Sequence, residues 1–412
     1  MTALLVKNIG ILQTPAGSFP HGGKTQGENL KLRDAAILIE NGVIREITDG
    51  GRLPQGSEEA DTVVDAEGKL VTPGLVEGHT HMVFGGYRQH EIPMKLKGAG
   101  YLDILRAGGG ILDTVRKTRE AGFEELYAKT EGFLDEMMAL GVTTCEAKSG
   151  YGLDFDTEVK MLQVLKKLNE EHPMDVVATF MGAHAVPDEY KDRPDDFIDM
   201  LCEEVMPYVK AQGLAEFADI FTEDSVFNYG QSKRYLERAK ALGFGLKVHA
   251  DEIEAIGGSQ LAGEMGAVSC EHLISIDEKG LEALAKGGVT AMCLPATSFY
   301  LGADFAPARK MIELGIPVAA ASDFNPGSCP SLNLQFVMNL ACIKCKMLPE
   351  EVLTAVTVNP ACAIGRGDRV GTLEKGKQGD LVIWDAPDMD MLCYRFGSNL
   401  ALQVIKKGEL VS

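Results

Sequence analysis

From Lys69 to about Leu353 the chain alternates short apolar runs with segments whose apolar residues recur at helical spacing, the pattern of parallel strands joined by crossover helices. The runs are Leu75 to Phe84, Val142 to Lys148, Val176 to Ala185, Phe217 to Thr222, Leu246 to Ala250, Ala267 to Leu273, Val289 to Pro295 and Pro317 to Ser322. Between them lie helical patterns such as Glu158 to Asn169 and Asp304 to Leu314, the second closed by Gly315 as a C′ glycine. Eight such units predict an α/β fold, a (β/α)8 TIM-type barrel over residues 69–360, with its chemistry at the C-terminal ends of the strands. A doubly wound open sheet is the alternative. It has no G-x-G-x-x-G after the first strand to support it, and Gly108-Gly109-Gly110 comes well after that strand.

The two ends of the chain read differently. Ala35-Ala36-Ile37-Leu38-Ile39 followed by Asn41-Gly42 predicts a strand and a hairpin turn. Gly371-Thr372-Leu373, Asp380 to Asp385 and Leu402 to Gly408 have the same strand-like texture. Residues 1–68 and 361–412 are therefore expected to build one small β-sandwich domain beside the barrel.

A length of 412 residues holds a barrel of about 250 residues with such a domain attached. Met1 to Gly10 lacks the charged start and apolar core of a signal peptide, and no apolar run is long enough to span a bilayer. The 9 cysteines are odd in number and scattered through apolar contexts, which suits small core residues in a reducing compartment. Cys342-Ile343-Lys344-Cys345 lies in a helical pattern with no second pair to make a zinc site. A cytoplasmic, soluble chain is expected. With 40 Lys and Arg against 60 Asp and Glu, the net charge of −20 disfavours nucleic acid and membrane surfaces as partners. An anionic small-molecule substrate would need a local cation.

Candidate chemistry gathers at the strand ends. His79 and His81 are one residue apart, so in an extended segment they face the same way and can hold one metal ion. In the barrel reading His249 from the fifth strand and Asp323 from the eighth complete the set and leave room for water. Zinc suits these donors, and ferrous iron or manganese also accepts them. A metal there lowers the pKa of bound water towards about 7. Glu252, three residues beyond His249, is the expected general base, and His272 at the end of the sixth strand the group that polarises the reacting oxygen. Lys148 ends the second strand, but alone it gives no reason for a second metal. Glu223 is either a group behind the site or a loop acid. Arg88, in a short glycine-containing loop, could place a guanidinium at the barrel mouth to grip a carboxylate. Tyr151 and His184 occupy the loops after strands two and three, where substrate-binding groups are expected.

Phe84-Gly85-Gly86-Tyr87-Arg88, Ala107-Gly108-Gly109-Gly110-Ile111-Leu112, Lys148 to Leu153, Gly182 to Pro187, His249-Ala250-Asp251-Glu252 and Ser322 to Ser328 together resemble the amidohydrolase superfamily. The likeness is closest to the branch that opens the ring of 4-imidazolone-5-propanoate with water, giving N-formimidoyl-L-glutamate in histidine degradation. That resemblance implies a cytoplasmic homodimer with one divalent metal per subunit, zinc or iron, on His79, His81, His249 and Asp323. It implies that Glu252 and His272 act on the water, and that Arg88, Tyr101, Tyr151, His184, Glu252, Asn325, Gly327 and Ser328 contact substrate. Tyr87, His90 and Ile92 depart from the branch's usual small, acidic or amide, and aromatic residues. The same metal, Glu and His would also serve a deaminase of an aminated heterocycle. A metal-free binding module of this fold would have lost ligands that are all present here.

Overall fold

A computed structural model describes residues 2–98 and 108–411. The barrel strands are Leu75–Glu77, Val142–Lys148, Asp175–Ala183, Phe217–Thr222, Gly245–Ala250, Ser269–His272, Thr290–Cys293 and Val318–Ala320. All eight run parallel in sequence order. Every strand residue in runs two and six is buried, as expected for a parallel sheet covered on both faces, and the buried set includes Glu146, Lys148 and Glu271. The ring closes beyond the strands themselves. Asp323 N donates to His79 O at 3.1 Å, His81 N donates to Phe324 O at 2.8 Å, and Thr80 pairs with Phe324.

Several strands are shorter than their apolar runs because their last residues turn into the loops at the mouth. The first strand ends at Glu77, so His79 and His81 sit just past it. The helix expected over Asp304 to Leu314 forms only from Ala308 to Glu313, since Pro307 precedes it and has no N–H to enter an earlier turn. Gly315, at φ +84°, closes it as expected. The helix over Phe155–Glu171 is longer than its apolar pattern because Asp154 caps it, accepting from Thr157 N at 2.7 Å.

Both chain ends enter one second sheet of eight strands, ordered Glu409–Leu410, Ala401–Lys406, Leu381–Trp384, Leu70–Pro73, Ala3–Thr14, Leu30–Glu40 and Val43–Thr48, with Thr62–Asp65 also on Ala3–Thr14. Asn41 and Gly42 have φ of 50° and 80°, the two left-handed residues of a tight hairpin turn. Leu4, Val6, Ile9, Ile37, Ile39, Leu381, Ile383 and Ile405 form its core. Leu70–Pro73 pairs with Leu381–Trp384 in this sheet, so the passage to the barrel falls at Gly74, a few residues later than the apolar pattern places it. Gly371-Thr372-Leu373 is not a strand: Gly371 has φ +88°, and Leu373 N bonds to the Thr14 hydroxyl at 2.8 Å instead of to a neighbouring backbone. Among the described residues no helix is long and apolar enough to cross a membrane.

Candidate active site

Thr80 turns its hydroxyl to Glu146 O at 2.8 Å, while His79 and His81 on either side of it turn together into the barrel. Their ligand atoms and one from His249 lie within 4.8 Å of one another. His81 Nε2 is 3.3 Å from His249 Nε2, and Asp323 Oδ1 is 3.6 Å from His79 Nε2 and 3.5 Å from His81 Nε2. Burial lowers the pKa of all three imidazoles, helped for His79 by Lys148 and for His81 by His184, so they are neutral and their lone pairs free.

Two of the outer nitrogens face buried carboxylates. Glu271 Oε2 lies 2.9 Å from His79 Nδ1, and Asp219 Oδ2 lies 3.0 Å from His249 Nδ1. The Glu271 bond fixes the proton on His79 Nδ1 and leaves Nε2 as an acceptor, whereas Asp219 Oδ2 and His249 Nδ1 are close without hydrogen-bond geometry. His79 Nε2 is then buried with no hydrogen-bond partner, an arrangement that is costly unless a cation completes it. The donor set of three neutral imidazoles and one carboxylate fits a divalent ion such as zinc or iron. Asp323 is positioned by Thr297, whose hydroxyl donates to Oδ2 at 2.7 Å, and burial pushes its carboxyl up to about 8. Asp323 and His272 both have left-handed backbones, φ +56° and +70°, a strain of about 1–3 kcal/mol each.

Sequence reasoning missed the layer beneath. Glu77, Glu146, Asp219, Lys247 and Glu271 are all buried. Glu77 accepts from His79 N at 3.1 Å and from Ser322 N at 3.1 Å, joining the first strand to the eighth, and burial raises it to about 8. Lys148 is 2.7 Å from Glu146 and 3.0 Å from Asp219, so it serves these carboxylates rather than a second metal. The available signal was a charged residue inside a mainly apolar run, such as Asp219 within Phe217–Thr222.

Glu252 Oε2 faces His272 Nε2 at 3.7 Å. Burial pushes the Glu252 carboxyl up to about 7, with His249 opposing and Glu223 adding to the rise. Burial likewise lowers His272 to about 3, so it is neutral at pH 7. Arg88 N donates to Pro326 O at 3.1 Å, and its guanidinium lies against Gly327, where a Cβ would fall 1.3 Å from Nη2. Arg88 Nε is buried without a partner. Its charge reaches Tyr151, which is buried, and His184, which stacks on His81 at 4.7 Å with its Nδ1 3.1 Å from Gly150 O.

Asn325 Oδ1 accepts from Gly327 N at 2.9 Å and Ser328 N at 2.7 Å, and Nδ2 donates to Asp323 O at 2.7 Å. Asn325 and Ser328 thus shape the loop that receives Arg88. Tyr101 lies outside the described residues. Tyr87 packs on Phe84 at 4.9 Å and under the Lys129 ammonium, His90 pairs with Asp113 at 3.7 Å, and Ile92 is exposed.

A closed ring of eight strands with a histidine–aspartate cluster at its C-terminal mouth defines a metal-dependent hydrolase, and the chain belongs to the amidohydrolase family, whose model matches residues 70–411. Its relatives include the imidazolonepropionases of Alkaliphilus metalliredigens, 49% identical over 100% of this chain and 98% of that protein, and of Treponema denticola, 51% identical over 91% of each. That of Bacillus velezensis is 48% identical over 99% of this chain and 96% of its own. Among solved structures the fold is similar to Escherichia coli guanine deaminase, with TM-score 0.75, 14% identity and coverage of 100% and 99% of the two chains. It is equally similar to the 5-methylcytosine deaminase of Klebsiella pneumoniae, with TM-score 0.75, 17% identity and coverage of 99% and 98%.

Proposed function

We propose that this enzyme hydrolyses the ring amide of 4-imidazolone-5-propanoate to N-formimidoyl-L-glutamate in histidine degradation. The observation that carries the reading is near-full-length identity of 48–51% to three imidazolonepropionases, joined to an arginine beside the histidine cluster whose buried Nε has no partner. His79, His81, His249 and Asp323 would hold the metal. When bound, that ion supplies a Lewis acid and lowers the pKa of coordinated water.

Glu252 receives a proton as water attacks the ring carbonyl, a role supported by a carboxyl raised to about 7, able to accept and return a proton near neutral pH. Neutral His272 donates a hydrogen bond to the oxygen on which charge develops. Glu252 then returns the proton to the departing ring nitrogen, and the ring opens. Arg88 holds the propionate, with Tyr151 and His184 walling the ring; Tyr101, Asn325, Gly327 and Ser328 complete the pocket. The same reading makes the enzyme a cytoplasmic homodimer of zinc or iron subunits that takes no nucleic acid or membrane as partner.

The test is incubation of metal-loaded protein with imidazolone propionate and chromatographic detection of formimidoylglutamate. Release of ammonia without formimidoylglutamate would replace this reading with a deaminase. Purified protein without tightly held metal and without turnover would replace it with a binding module.

A further inference from the structure

Both peptide planes that flank the Glu252 Cα are pinned by neighbouring loops. On one side Ser275 N donates to Asp251 O at 2.7 Å. On the other, Glu223 Oε2 accepts from Ile253 N at 2.9 Å, and its Oε1 accepts from Glu254 N at 3.0 Å and from Asp224 N at 2.9 Å. Glu223 is 1% exposed and lies just beyond the fourth strand, while Ser275 lies beyond the sixth. Asp251 between them has φ +54°, a left-handed backbone that needs such support. The segment from Glu252 to Glu254 makes no strand or helix of its own, and Ile253 is 67% exposed, so little apolar packing holds it. Its geometry comes from the Glu223 carboxylate.

We propose that Glu223 is the positioning residue of the general base: by accepting the N–H groups of Ile253 and Glu254 it fixes the direction in which the Glu252 side chain leaves the backbone. This rests on Glu252 being the base. Glu158 repeats the device in the loop after the second strand, where its Oε1 accepts from Gly150, Gly152 and Leu153 at 3.2, 2.8 and 2.9 Å and so fixes the turn carrying Tyr151. One buried carboxylate thus holds the proton-transfer group, and a second holds a wall of the substrate pocket.

Glu223→Gln keeps the size of the side chain but turns an amide N–H₂ towards at least one of the three backbone donors. A misplacement on the order of 1 Å costs up to ~10²-fold in rate, so kcat should fall roughly 10- to 100-fold with KM and metal content unchanged. Glu158→Gln should instead raise KM more than it lowers kcat. The decisive measurement is the double variant Glu223→Gln/Glu252→Gln, which should lose no more than Glu252→Gln alone, because the two act as one unit. Losses that multiply, or a Glu223→Gln enzyme with near-normal kcat, overturn the proposal. Near-normal kcat in Glu252→Gln overturns the assignment of the base instead, and so separates the two failures. Should Glu223→Gln fold poorly, Glu223→Asp keeps the charge with a shorter reach; it must show the same loss of kcat, the same unchanged metal content and the same non-additivity with Glu252→Gln, or the proposal falls.

Discussion

Gly327 and Arg88 occupy the same space: the position of a Cβ on residue 327 is 1.3 Å from Nη2, 2.0 Å from Cζ and 2.2 Å from Nε of the arginine. The absence of a side chain at one residue is the seat of the other. The guanidinium is the far end of a flexible chain, so a methyl at residue 327 would displace it rather than unfold the loop.

Gly327→Ala is therefore expected to fold and to load metal normally while losing kcat/KM on imidazolone propionate about as much as removal of the arginine does. Adding Arg88→Met to it should cost little more. Additive losses in the double variant would mean that Gly327 acts on something other than Arg88.

Arg88→Met removes one charge-assisted contact of about 1.5–3 kcal/mol, so kcat/KM should fall roughly 10- to 150-fold. An imidazolone lacking the carboxylate should already be a poor substrate, and the substitution should harm it little. Equal losses on both compounds, in a folded and metal-loaded variant, would remove Arg88 from carboxylate recognition.

Asp323→Ala leaves three neutral imidazoles to hold a divalent cation, and metal retained through dialysis should drop well below one equivalent per subunit. Thr297→Val, which takes away only the 2.7 Å hydrogen bond to Oδ2, should weaken retention less. Elemental analysis after dialysis against a chelator reads both; full retention in Asp323→Ala would sink the assignment.

Asp175, at the start of the third strand, is 28% exposed and lies 2.8 Å from Lys406 and 2.6 Å from Lys407 of the small sheet. Burial alone would raise its carboxyl, but the two ammonium groups outweigh that and hold it well below its ordinary value. A depressed folded pKa gives stability that is complete above the unfolded value of about 3.9 and is lost only as pH falls through the folded one. Asp175→Asn should lower the melting temperature by several degrees, equally at pH 7 and pH 5, for a loss of about 1–3 kcal/mol. The gap between variant and parent should narrow only below about pH 4. A constant gap down to pH 3 would contradict it.

The eight strands were legible because fully buried parallel strands are rich in apolar residues, and the candidate ligands His79, His81, His249 and Asp323 drew notice because each lies at or just past the end of one. Asp219 and Glu271 were not, because a charge within such a run gives no hint of which partner lies across the ring; Lys148 reaches Asp219, and His79 reaches Glu271, only when their strands come together in the barrel. Glu223 stayed open between a group behind the site and a loop acid for the same reason, since its partners are backbone N–H groups that any sequence supplies. A strand end was overestimated where the backbone turns left-handed, as at Leu273 with φ +62°, a conformation that residue type alone does not announce.

The barrel's closing bonds, Asp323 N to His79 O and His81 N to Phe324 O, join three of the four candidate metal ligands. The seam of the ring and the seat of the ion are one piece of backbone. A growing chain that has released only its first seven strands carries three histidines but no seam, and so no complete set of donors. Metal uptake would in this sense be a proofreading step on the fold: an ion on these four residues would be held in full only by a chain whose first and last strands have met.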